Sequence, residues 1–298
     1  MRPLGIGIYA PAGLVTDAAA LARATARLTA AGHEVVVDPT CGSRWQRFSA
    51  PDGERLAAVA RMAADPRVEL AISARGGYGW SRLLDRIDFP ALARAGKRWL
   101  GHSDFTAFQL AALAHAGMVT LAGPMAAYDL GAETPSAFTD EHLRGVLEGD
   151  RHEVRLPLDG PDLAVEGTLW GGNLALVAHL VGTRHFPRVD GGILFLEDVG
   201  EHPYRIERML HQLHFAGVLA TQRAVLLGAF TEYATGPQDG GYDLGAVVEY
   251  ARERFGVPVC TGLPFGHVPD KLTLPVGGHA ALSIRDGAAT LSLSAYAG

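Results

Sequence analysis

The 298-residue chain is 48% hydrophobic and 19% charged, which supports one large or two smaller folded domains and gives no sign of disorder. Its 26 basic and 32 acidic residues leave a net charge of -6, so there is no electrostatic basis for holding nucleic acid or an anionic lipid surface, and neither partner is expected. Two distant cysteines, Cys41 and Cys260, exclude a disulfide framework and a cysteine-rich metal site, no run approaches the ~18 apolar residues of a membrane span, and the cytoplasm is the expected compartment.

In chain order, residues 1–125 alternate short apolar runs with amphipathic stretches, the pattern of a parallel α/β sheet. Strands are predicted over 4–9, 33–38, 68–74, 98–102 and 119–122. The first helix is expected between Thr16, as its N-cap, and Gly32, just past its end. Residues 126–162 turn irregular and read as a link containing one helix; residues 163–298 then hold buried strands at GGILFLED and AVLLGAF, two helices, and closing hairpins. The fold class is therefore α/β, a parallel-sheet domain followed by a smaller domain of mixed strands.

Polar and glycine-rich clusters interrupt this pattern where strands have just ended, the place where open α/β sheets bind ligands. Gly5-Ile-Gly-Ile-Tyr-Ala10 has the spacing of a dinucleotide motif, but its glycines fall inside the strand and Pro11 removes a loop amide, so close strand packing is the better reading and no cofactor is expected. The loop with Arg75, Gly76, Gly77 and Gly79 lies between a strand and a helix start. It reads equally as a tight turn or as a set of free amides for an anion or oxyanion.

Ser103 stands on a sharp turn between KRWLGH and FTAFQLAALAHAG, as a nucleophile elbow requires, with the Asp104 amide next to it. The pattern is not G-x-S-x-G, because Phe105 replaces the second glycine, and a helix N-cap at Ser103 or Asp104 fits as well. Glu197 ends a buried strand, where it is suited to fix the tautomer of a histidine, while Asp198 and Glu201 also suit the cap of the next helix. His267, one of twelve histidines, lies in the Gly- and Pro-rich loop GLPFGH, a setting that often carries function. His211 and His214 form H-x-x-H without the carboxylate of HExxH, and no metal is expected.

Taken together, RGGYG, G-x-SD-x-T, LWGGNL, LFLED-x-x-E-x-PYR and PFGH, in this order, resemble the LD-carboxypeptidase family, with further likeness from APAG near the start to LPVG near the end. The resemblance implies a flavodoxin-like N-terminal domain, a smaller C-terminal domain, a homodimer, and a catalytic triad of Ser103, Glu197 and His267 acting on murein tetrapeptide. Asp104 and the Gly76–Gly77 turn would bind the oxyanion. For the substrate's free carboxylate the nearest basic residue is Arg75, with Arg205 and Lys271 behind it. One position departs from the family, which usually has Tyr or Phe before the serine; here it is His102, a possible competitor for Ser103. Two other readings stay open. One is a hydrolase of peptidyl or acyl adenylates resembling the microcin self-immunity proteins, with Trp80 and Trp170 as base-stacking candidates; the other is a non-catalytic muropeptide-binding module.

Overall fold

The computed structural model describes residues 2–296. The apolar runs of the first half become β1 (Gly5–Tyr9), β2 (Glu34–Val37), β3 (Leu70–Ser73), β4 (Arg98–Gly101) and β5 (Thr120–Ala122). They alternate with α1 (Ala18–Ala30), α2 (Asp52–Ala64), α3 (Phe89–Arg94) and α4 (Phe105–Ala116). The second half contains α5 (Ala137–Glu148), β6 (Arg151–Pro157), β7 (Leu163–Asn173), α6 (Leu174–Leu180), β8 (Ile193–Val199), α7 (Pro203–Phe215), β9 (Ala224–Thr231), α8 (Leu244–Arg254), β10 (Val259–Thr261), β11 (Leu274–Val276), β12 (His279–Arg285) and β13 (Ala288–Ser294).

Two sheets result. The first has the order β11-β5-β4-β3-β1-β2, parallel except for β11, which runs antiparallel to β5. Strands β1, β3 and β5 are buried along their whole length, which is why they read as unbroken apolar runs. The second sheet, β10-β9-β8-β7-β12-β13-β6, is parallel from β10 to β7 and antiparallel from there on. The expected α/β architecture, with a parallel first sheet and a mixed second one, is what the chain forms.

Local chemistry explains the details. A Cβ on Gly5 would lie 1.5 Å from the Arg67 carbonyl oxygen, so this glycine serves close packing of β1. Helix α1 is capped one residue later than expected, by the Asp17 carboxylate accepting from Ala20 N at 2.9 Å. The hairpin between β12 and β13 turns on Asp286 and Gly287, both at positive φ (50° and 75°), the turn whose twist matches paired strands.

The stretch 126–162 holds more than a link: after the helical turn Ala126–Leu130 come α5 and then β6, which pairs with β13 at the edge of the second sheet. In the other direction, β11 crosses back to the first sheet. The two sheets are thus laced together by strand exchange as well as by side chains. One such tie, the Asn173 N–H donating to Thr106 Oγ1 at 3.0 Å, joins the end of β7 to the start of α4.

Candidate active site

The turn from β4 into α4 forces Ser103 into the left-handed region, at φ 63°, a conformation that costs a non-glycine residue roughly 1 kcal/mol or more and is retained where the surroundings over-determine it. Ser103 Oγ lies 3.0 Å from His267 Nε2, and His267 Nδ1 lies 2.8 Å from Glu197 Oε2. A carboxylate only accepts, so Nδ1 carries the hydrogen toward Glu197 and Nε2 presents its lone pair to the serine hydroxyl. Three residues from three distant segments therefore meet in one hydrogen-bonded chain.

Glu197, at the carboxyl end of β8, is fully buried, and its other oxygen accepts from Asn173 Nδ2 at 3.3 Å. Burial by itself would depress the His267 imidazolium; the hydrogen bond and charge of Glu197 outweigh it, and the His267 pKa is raised above its ordinary value. Asp198 does not cap α7, whose N-cap is His202. It accepts from Asn173 Nδ2 and Ala175 N, both at 2.9 Å, and so fixes the start of α6 and the amide that holds Glu197. Burial pushes Asp198 up to about 6.

The loop after β3 lies against the serine. A Cβ on Gly76 would stand 2.8 Å from Ser103 Cβ and 2.9 Å from Oγ, so the residue touching Ser103 here has to be glycine. Gly77 follows, exposed and at φ 97°, and Gly13 N donates to the Gly76 carbonyl at 2.9 Å. Asp104 is the N-cap residue of α4, yet its side chain caps nothing in that helix; its Oδ2 accepts from Trp80 N at 3.0 Å and so ties the glycine loop to the turn of Ser103. Burial raises its pKa to about 6 against the Trp80 and Gly79 amides.

Of the basic residues expected to hold a carboxylate, Lys271 is fully buried in an ion pair with Asp129, itself fixed by Met125 N at 2.7 Å. Arg75 is half-buried and donates from Nη1 to the Leu14 carbonyl at 2.6 Å. Arg205 lies on α7, 3.6 Å from Glu201. The His102 ring makes no hydrogen bond to Ser103 Oγ, whose partner is His267. His102 is buried, its Nδ1 is 3.0 Å from the Gly123 carbonyl, and burial together with the Lys271 and His267 charges drives its pKa well below the ordinary value. Asn173 and Asp129 were not singled out from the sequence; Asn173 closes the LWGGNL motif, which was the available signal.

Among the described residues no cluster of three or more His, Cys, Asp or Glu is arranged to hold a metal, and no helix is long and apolar enough to cross a membrane. The two-sheet α/β architecture, with a serine in hydrogen-bond reach of a histidine, fits a serine-type hydrolase. Comparison with known proteins makes this specific. Residues 6–123 match the model of the LD-carboxypeptidase N-terminal domain and residues 166–282 that of its C-terminal domain, and the chain belongs to the LD-carboxypeptidase family.

A crystal structure of muramoyltetrapeptide carboxypeptidase from Oxalobacter formigenes is 45% identical and superposes with a TM-score of 0.93, covering 98% of this chain and 99% of that one. Murein tetrapeptide carboxypeptidase of Pseudomonas aeruginosa is 35% identical over 221 residues, 70% of either chain. The structure of MccF in complex with glutamyl sulfamoyl guanosine shares the fold, with a TM-score of 0.89 over 99% of this chain and 96% of that one, at 22% identity.

Proposed function

We propose that this carboxypeptidase hydrolyses the peptide bond between an L-configured centre and a C-terminal D-amino acid, releasing D-alanine from murein tetrapeptide in the cytoplasm. The observation that carries this reading is the unbroken chain Ser103 Oγ–His267 Nε2–Glu197, set on a serine at positive φ. In the first step Ser103 Oγ attacks the scissile carbonyl carbon while its proton passes to His267 Nε2. The imidazolium so formed is stabilised by Glu197 and returns the proton to the amine of the departing D-alanine, leaving an acyl-enzyme. Water then attacks the ester, His267 again taking and returning the proton, and frees the shortened peptide and Ser103.

The oxyanion would be received by two amides. Asp104 N–H has no backbone acceptor among the described residues. The Gly76–Gly77 peptide is trans, so with the Gly76 carbonyl held by Gly13 the Gly77 N–H faces the opposite way, open to a ligand. Each such donor contributes roughly 3 kcal/mol to the transition state. The homodimer belongs to the same reading and rests on the family resemblance; a monomeric mass by sedimentation would remove it.

The test is mass spectrometry of muropeptide tetrapeptide before and after incubation, with loss of one D-alanine expected for the wild type and none for Ser103→Ala. Wild-type-like turnover by Ser103→Ala would sink the assignment. For cleavage of acyl adenylates, the aromatic candidates for holding a base are Trp80 and Trp170, and both are buried, Trp170 Nε1 donating to Gln222 Oε1 at 2.8 Å. Parallel assays on an adenylate conjugate separate the two substrates. Failure of a serine-reactive probe to label Ser103 while muropeptide still binds would favour a non-catalytic module.

A further inference from the structure

We propose that Arg47, presented on the ring of Tyr78, is the specificity-determining residue that binds the free terminal carboxylate of the peptide substrate. The inference rests on the carboxypeptidase reading above and adds to it a residue whose place in the site shows only in three dimensions.

The rim of the site on the first sheet is built from three loops joined by hydrogen bonds. The segment 45–48 is a tight turn in which Trp45 N donates to the Phe48 carbonyl at 3.0 Å and Phe48 N to the Trp45 carbonyl at 2.9 Å, with the two rings stacked at 5.8 Å. Gln46 in that turn sits at φ 53°, backbone strain of the kind retained at ligand clamps. This turn is latched to the loop after β1 by Leu14 N donating to the Arg47 carbonyl at 3.3 Å, and that loop is latched to the glycine loop by Gly13 N and the Gly76 carbonyl. Gly76 touches Ser103. A path of backbone hydrogen bonds therefore runs from the glycine loop beside Ser103 to the tip that carries Arg47.

Arg47 differs from Arg55 and Arg82 in having no carboxylate partner among the described residues, and from the equally exposed Arg44 and the half-buried Arg75 in lying over a ring of the glycine loop. Arg55 is buried and spent on Asp52 and on the Pro11, Ala50 and Gly79 carbonyls. Arg82 forks onto both oxygens of Asp52. Arg75 braces Leu14. Arg47 is exposed, pairs with no carboxylate among the described residues, and lies over the Tyr78 ring at 5.7 Å. Tyr78, 42% exposed, packs in turn against Phe48 at 6.0 Å. A guanidinium set over a ring and bonded to no carboxylate keeps its N–H donors for a ligand, and its fork can grip a carboxylate with two parallel bonds. The position is within electrostatic reach of the site: burial raises Asp104, beside the nucleophile, and the Arg47 charge is among those opposing that rise.

The experiment uses the full chain and compares kcat/KM for the tetrapeptide with a free C-terminus and with a C-terminal amide. The wild type is expected to prefer the free acid. Arg47→Ala is expected to cut that preference by roughly ten- to a hundredfold, through KM for the free acid and not through kcat, the loss of one hydrogen-bonded charge contact. Arg47→Lys is expected to restore part of it, since a point charge replaces the fork. Labelling of Ser103 by a fluorophosphonate reports in each variant that the site is folded. A labelled Arg47→Ala protein whose acid-over-amide ratio equals that of the wild type overturns the proposal, as does equal loss on both substrates. A wild type that labels but releases no D-alanine overturns the hydrolysis reading and this inference with it.

Discussion

Replacing Gly76 by alanine tests whether the glycine loop is shaped around Ser103, the proposed nucleophile. The added Cβ would lie 2.8 Å from Ser103 Cβ, 2.9 Å from Ser103 Oγ and 3.5 Å from the His102 carbonyl. Carbon–carbon contacts relax to ~3.5–4.0 Å, so the serine has to retreat by roughly 0.7 Å or more. It has little freedom to do so, since its backbone is already left-handed and its Oγ is 3.0 Å from His267 Nε2. A misplacement of about 1 Å costs on the order of a hundredfold, and loss of the proton relay on the order of 10²–10⁴. We therefore expect kcat/KM for D-alanine release to fall by about 10²–10³, with a stability cost of only ~1–3 kcal/mol from overpacking. Gly53→Ala is the control: in α2 its Cβ meets nothing within 4 Å, and it should keep full activity while gaining ~0.5–1 kcal/mol. Near-wild-type turnover by a folded Gly76→Ala protein would refute the reasoning.

Glu197→Gln should lower kcat by roughly 10³–10⁴, far more than Glu201→Gln, whose carboxylate pairs with Arg205 on the surface of α7; the reverse ranking would shift the acid to Glu201. Because Glu197 raises the His267 pKa, the acidic limb of kcat/KM should lie above the ordinary ~6.5 and move down in Glu197→Gln. By linkage, a raised imidazole stabilises the fold fully below its unfolded value and loses that contribution as pH rises through the folded one, so the stability gap between the two proteins should be wider at pH 5 than at pH 9. Asp104 is buried and raised to about 6, so ionising it in the fold costs up to ~3 kcal/mol at pH 8; Asp104→Asn, which keeps an acceptor for Trp80 N, should gain stability relative to wild type between pH 4 and 8, and a flat difference would refute this. Lys271→Met strands Asp129 as a buried charge and should cost ~3–5 kcal/mol in urea unfolding, largely recovered by adding Asp129→Asn; no recovery would show that Lys271 acts through packing alone.

Much of this was legible because the strands of the first sheet are short, apolar and bounded by turn residues, and because catalytic loops follow strand ends. The spacing of the sequence cannot show exchange between sheets. β11 is three residues long and sits among loop residues, and only its pairing with β5 makes it part of the first sheet. β6, exposed at alternate positions, reads as an irregular polar stretch until its edge is paired with β13. In the site, Ser103, Glu197 and His267 each looked ambiguous, since each had a capping or loop role that fitted equally well. Residues whose roles are second-hand were not legible at all: Asn173 matters only because Glu197 and Asp198 converge on its amide, and Lys271 suited a substrate carboxylate until Asp129 was found beside it.

The two histidines next to Ser103 show why residue type alone does not assign a base. His102 and His267 lie edge to face with ring centroids 5.2 Å apart, one the immediate neighbour of Ser103 in sequence and the other 164 residues away. Their environments drive them in opposite directions. Burial lowers both; for His267 the Glu197 carboxylate reverses the sign, whereas for His102 the Lys271 and His267 charges add to the burial. Asp129 gives His102 no comparable relief, standing 3.9 Å from its Nδ1 and committed to Lys271. His102 is thus held neutral, with Nδ1 on the Gly123 carbonyl and its ring edge to face with Phe265 at 6.3 Å, occupying the place of a flat aromatic side chain. An imidazole of such low basicity, bonded to the Gly123 carbonyl and not to Ser103 Oγ, is a poor acceptor for the serine proton. Two like groups pushed to opposite protonation behaviour by their partners is the general pattern by which a site separates its acid–base roles, and here it favours His267 for the proton transfer.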